Sequence, residues 1–155
     1  GVDCTPPSIH ISCVGNYTEF TDHYEFIGYP AGSLRGNILD IATYLSMVIN
    51  NGELNGTQFI QPSSRAIMIG ENEGHGFFWQ HKTISTESDE VELIGHRGWT
   101  FGVTTSMHFD PLTNVGLIFL MNVDLPAYKN KVYNDLVARL YQEAIQISQS
   151  AQVKK

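Results

Sequence analysis

The sequence predicts an α+β fold: an antiparallel sheet, a three-stranded meander plus one or two further strands, packed against a C-terminal helix, with an additional helical region. Three observations carry this. Between Val91 and Asn122, strand-like runs alternate with turn residues, the signature of hairpin-connected strands. Two other stretches, 37–50 and 127–147, place apolar residues at helical spacing. At 155 residues with 42% hydrophobic content, the chain is one domain with enough material for a core, so 1–155 is read as a single unit.

Taken in order, residues 1–28 show no clean periodicity. Pro6-Pro7, a short alternation over Ile9-His10-Ile11-Ser12 and an aromatic-acidic mixture from Tyr17 to Phe26 predict an irregular arm. Residues 37–50 predict the clearest helix, with Ile38, Ile41, Ala42, Leu45, Val48 and Ile49 on one face. Asn37 is placed to cap it, and Asp40 stands where a capping-box partner would. Asn50-Asn51-Gly52 stops it. Asn55-Gly56 predicts a tight hairpin turn between Glu53-Leu54 and Gln58-Phe59-Ile60. Pro62 opens a short helix to Ile69. A polar break over 71–74 leads to an expected strand over 76–82, with Phe77, Trp79 and His81 on one face. After an acidic turn over 85–90 the meander follows: Val91 to Ile94, Val103 to Phe109, the turn Asp110-Pro111-Leu112-Thr113-Asn114, and Val115 to Asn122. The last helix, 127–147, is expected to bury Val132, Leu136, Leu140, Ala144 and Ile147 on the sheet. Residues 148–155 are polar and expected to fray.

The net charge of −7 argues against nucleic acid or an anionic membrane as a partner. No apolar run reaches the ~20 residues of a membrane helix. The chain starts at Gly1 rather than Met, so it is expected to be processed or cut from something longer. Cys4 and Cys13 are either a local disulfide or two reduced thiols. With sequons at Asn16 and Asn55, they tilt the reading towards a secreted or exported protein. No cofactor is expected, since no dinucleotide fingerprint or P-loop occurs. No metal is expected either: on the expected strand His75 and His81 stand ~20 Å apart, with no third ligand near them.

Glycines mark the chemically interesting stretch. Gly95, Gly98 and Gly102 interrupt strand pattern, where glycine lets another backbone or a ligand come close. Residues two apart share a strand face, so His96 presents its imidazole beside the bare backbone of Gly98. His96-Arg97-Gly98, with Gly102 and two strands after it, resembles the third motif of the serine β-lactamase-like hydrolases, which reads Lys-Thr-Gly or His-Thr-Gly. These include class C β-lactamases, penicillin-binding proteins and related esterases. Upstream, the stretch from Tyr29-Pro30-Ala31-Gly32-Ser33-Leu34 to Asp40-Ile41-Ala42 looks like that family's helix entry, and Gly76-Phe77-Phe78-Trp79 resembles its Gly-Tyr-Gly-Trp strand. The resemblance runs from Tyr29 to Gln146 and matches only the C-terminal part of the family's catalytic domain, a partial transpeptidase fold.

The family's Ser-x-x-Lys nucleophile motif is absent: no serine here has a lysine three residues on. Tyr44-Leu45-Ser46 and Tyr128-Lys129-Asn130 match the letters of its second motif but not the place. The resemblance therefore implies half a site, inactive alone, with a small acyl substrate. His96 would act as hydrogen-bond donor or proton partner, the Trp99 backbone N–H would donate to the oxyanion, and Gly98, Thr100 and Arg97 would line the substrate. Arg97 and Trp99 replace small residues of the motif. The guanidinium either recognises a carboxylate or points outward to pair with an acid such as Glu92, the latter favoured. His96 itself is either a site residue or a satisfied strand histidine. The alternative class is a non-catalytic binding or assembly module. Its expected partner is the missing N-terminal half, or a second copy, along the apolar edge Val115 to Asn122.

Overall fold

The computed structural model describes residues 34, 36–71, 74–87, 89–100, 102–123, 125 and 130–153. The expected arm over 1–28, both cysteines and most of the Tyr29–Asn37 entry lie outside the described residues. The fold is α+β: α1 (Ile38–Ile49), the short pair β1 (Glu53–Leu54) and β2 (Thr57–Gln58), α2 (Pro62–Ile69), then β3 (Gln80–Ser85), β4 (Glu90–Thr100), β5 (Val103–Phe109), β6 (Gly116–Met121) and α3 (Asn130–Val153). The strands β3-β4-β5-β6 form one antiparallel sheet in chain order.

Local chemistry sets the boundaries. The Asn37 Oδ1 accepts from the N–H groups of Leu39 and Asp40 at 2.9 and 3.0 Å, which satisfies two donors that a helix start leaves open. Asp40 reaches back as foreseen, but to the Asn37 side-chain amide at 2.6 Å rather than to its backbone. Asn55 and Gly56 take φ of 52° and 79° between β1 and β2, the geometry of the favoured two-residue hairpin turn. Pro62 occupies the first turn of α2, and Gly70 closes that helix at φ 66°. A Cβ on Gly70 would stand 1.9 Å from the His75 carbonyl oxygen, so only glycine lets the chain return there.

The expected strand over 76–82 begins later. Residues 76–79 form a turn closed by Gly76 N–H donating to the Trp79 carbonyl at 2.9 Å, with Phe78 at φ 62°. Trp79 goes inward, edge-on to Phe109 at 6.0 Å, whereas Phe77 is exposed. β4 also differs from expectation: it runs unbroken through Gly95 and Gly98.

Both faces of the sheet are covered. Ile94 and Phe109 meet Leu45, Val48, Ile69 and Trp79 on the α1/α2 face. Ile84, Leu93, Leu117 and Phe119 meet Tyr133, Val137 and Tyr141 on the α3 face. The stripe of α3 is thus shifted from the expected one: Leu136 and Leu140 pack at its margin, but its buried centre is Tyr133, Val137 and Tyr141. Val132 and Ile147 are 53% and 68% exposed, while Tyr133 and Tyr141 are buried. The inner face of β5 explains it: Thr104, Ser106 and His108 are buried polar groups, and tyrosines can bury rings while bonding to them. Helix α3 continues to Val153, past the boundary at 147 expected from the sequence.

Candidate functional site

The predicted site residues lie at the far end of β4. β3 pairs with β4 only as far as Gly95, opposite Gln80, while β4 continues to Thr100 in register with β5. Alternation divides the stretch. His96, Gly98 and Thr100 turn to the α1/α2 face, and Arg97 and Trp99 to the α3 face. His96 is exposed, beside Gly98 as the spacing predicts, and Trp99 is 44% exposed.

Two of the three glycines serve the neighbouring strand. A Cβ on Gly95 would lie 2.1 Å from the Met107 carbonyl oxygen and 2.6 Å from the His108 ring. A Cβ on Gly98 would lie 2.1 Å from Thr105 Oγ1. Gly102 takes φ 70° in the turn between β4 and β5.

Arg97 does not pair with Glu92. Five residues apart on one strand, the two side chains are on opposite faces. Arg97 Nη1 donates to Asn130 Oδ1 at 2.7 Å, Nη2 donates to the Leu125 carbonyl, and the guanidinium lies 4.2 Å from the centre of the Tyr133 ring. Its Nε is buried without an acceptor among the described residues. Arg97 therefore ties β4 to the start of α3, on the face away from His96. Glu92 instead meets His81 Nδ1 at 2.9 Å, and His81 Nε2 lies 3.0 Å from the Ile69 carbonyl oxygen.

Sequence reasoning misses two polar groupings. The first is a cleft of about 600 Å³ on the α1/α2 side, lined by Arg65, Glu71, His81, Glu92, Asn50 and Asn114. Arg65 is buried in it, donating to the Val48 carbonyl at 3.0 Å and to Glu71 at 3.2 Å. The second is buried under α3. Ser106 Oγ lies 2.8 Å from His108 Nδ1 and 3.0 Å from the Tyr133 hydroxyl. Lys82 Nζ stands 4.5 Å from the centre of the same tyrosine ring and donates to Asn134. Burial, then the charges of Lys82 and His96, push the His108 imidazole down to about 4. Burial also lowers Lys82, helped by Arg97. A serine bonded to a histidine has the atoms of a nucleophile and its base, yet both are 2% exposed. No acyl group can approach them, so this pair is structural. Alternating small polar residues on β5 are its signal in the sequence.

Beyond it, Asp110 accepts from Leu112 N–H, Thr113 Oγ1 and the Tyr141 hydroxyl, each at 2.7 Å. Burial alone would raise its carboxyl, but hydrogen bonds from Thr113, Tyr141 and Leu112 outweigh that and hold it below the ordinary value. Burial, then the bond to Asp110, pushes the Tyr141 hydroxyl up to about 12.

No group of three or more His, Cys, Asp or Glu side chains that could hold a metal ion occurs among the described residues. No helix among them is long and apolar enough to cross a membrane. Comparison of the chain with family models, with curated proteins and with solved structures returns no match.

Proposed function

We propose that this chain supplies the C-terminal, sheet-side wall of the acyl-transfer site of a β-lactamase-like serine hydrolase, acting on an ester, amide or β-lactam. The observation that carries the reading is the extension of β4 beyond its pairing with β3: past Gly95 the strand stays in register with β5 as far as Thr100, and the exposed His96 stands beside Gly98 on the face away from α3. The three ordered motifs and the exposed imidazole of His96 support the reading. The resemblance assigns the nucleophile to a serine outside this chain, the oxyanion donor to the Trp99 backbone N–H, and the proton partner to His96. Arg97 holds the strand by its bond to Asn130 rather than lining the substrate. A secreted or exported location accords with this role.

The coding sequence upstream of Gly1 is the test. A Ser-x-x-Lys followed by Tyr-x-Asn or Tyr-x-Ser is expected there. The chain joined to that segment then hydrolyses an activated ester, the chain alone does not, and His96→Ala in the joined form lowers turnover by roughly 10²-fold. An upstream segment without the serine and lysine, or His96-dependent turnover by the chain alone, overturns the proposal.

A second reading, a binding or assembly module of the same ancestry, is favoured by β6. Among the described residues no strand pairs with its outer side, and Leu120 is 40% exposed. Such an edge invites another strand, from an N-terminal half or from a second copy.

A further inference from the structure

The layer between the sheet and α3 is unusual in what faces what. His108, on β5, is sealed by Gly95 of β4 on one side, where the Cδ2 of its ring leaves no space for a Cβ. Ser106 of β5 and Tyr133 of α3 continue its hydrogen-bond chain. Lys82 of β3 and Arg97 of β4 both stand over the Tyr133 ring. β6 opposes this strip with Leu117 and Phe119, which carry no charge. The other titratable groups near it are Asp110, which bonds to Thr113 and to Tyr141 of α3, and His96, whose side chain is on the opposite face. Asp110, the one buried carboxylate among the described residues, is therefore already engaged, Asp135 of α3 is paired with Lys131, and two cations are already present.

We propose that His108 is an acid-sensitive latch: a proton on its imidazole adds a third positive charge to a sealed strip holding Lys82 and Arg97, and α3 is released from the sheet. Release also frees Arg97 from Asn130 and Tyr133, so the His96–Thr100 end of β4 loses its tie to the helix. The latch thus couples acidity to the strand described above, without depending on what that strand binds.

The sign follows from linkage. The folded state holds His108 down at about 4, against 6.5 when it is free. The opened state therefore binds the proton more tightly, and the advantage of the closed state is lost as pH falls from 6.5 towards 4. Across that window the loss amounts to about 80-fold in the closed-to-open ratio, and it approaches about 300-fold only below pH 4. Asp110 titrates in a separate, lower range, since its carboxyl is held below 3.8.

The experiment is amide hydrogen exchange of α3 at pH 7 and pH 4.5, expressed as protection factors, on the chain and on His108→Asn, which cannot take up a proton. The expected result is a fall of about 60-fold in α3 protection in the parent chain and little change in the variant. An equal fall in both overturns the latch. If His108→Asn does not fold at pH 7, the imidazole resonances of the parent decide. Titration of His108 near 6.5, or titration near 4 with α3 protection unchanged, overturns it; joint loss of both signals near 4 supports it.

Discussion

Replacing Gly95 by alanine would push a methyl group against backbone on β5, 2.1 Å from the Met107 carbonyl oxygen, which cannot rotate away. Replacing Gly98 would press only on the Thr105 hydroxyl, which can turn about its own bond. Gly95→Ala is therefore expected to cost about 3 kcal/mol, the upper end for overpacking, and Gly98→Ala less than about 1 kcal/mol. Urea unfolding of the two variants checks this ranking. At this scale the sequence is legible in part. Two-residue alternation is enough to set His96 beside Gly98, and the same parity, applied to Arg97 and Glu92, rules out their pairing. What Gly95 makes room for is not legible, because the ring of His108 comes from a strand whose register depends on the whole hairpin.

Helix α3 shows why a stripe of aliphatic residues is an incomplete guide. Val132 and Leu136 suggest one face, but the buried ridge is Tyr133, Val137 and Tyr141, four residues apart at each step. Tyrosine is ambiguous in a hydrophobic pattern, and here the polar inner face of β5 decides it: Ser106 and Asp110 take the two hydroxyls. Val137→Ala should then cost about 2 kcal/mol as a buried truncation, whereas Val132→Ala, on the solvent side, should stay within about 0.5 kcal/mol. Thermal melts of both variants decide between the two stripes, and equal losses would contradict the observed face. The first helix reads correctly at its cap, its stop and Leu45 and Val48, which are local signals, whereas Ile38 and Ala42 of the expected face are exposed.

For the whole molecule, the two helical layers on either side of one sheet follow from strands that are apolar on both faces, as in Leu117-Ile118-Phe119. Strand β3 and the turn before it are harder to read, since Phe78 adopts a left-handed backbone that bulky residues rarely take. The assembly state belongs to this scale. If the outer side of β6 recruits a second copy, sedimentation at high protein concentration shows a dimer and Leu120→Lys returns it to monomer. A monomer at every concentration counts against the assembly reading.

The order of the sheet, β3-β4-β5-β6, is also the order of the chain, and this bears on how the molecule is reached rather than on how it is held. Each strand finds its partner across one short turn, so the sheet closes through small loops. By contrast, the contact of Leu45 with Gly116 must wait for the chain to bring distant segments together. Loop closure of that length is slow relative to hairpin formation. The meander is thus the natural nucleus, and substitutions in α1 that face β6 should alter the unfolding rate more than the folding rate.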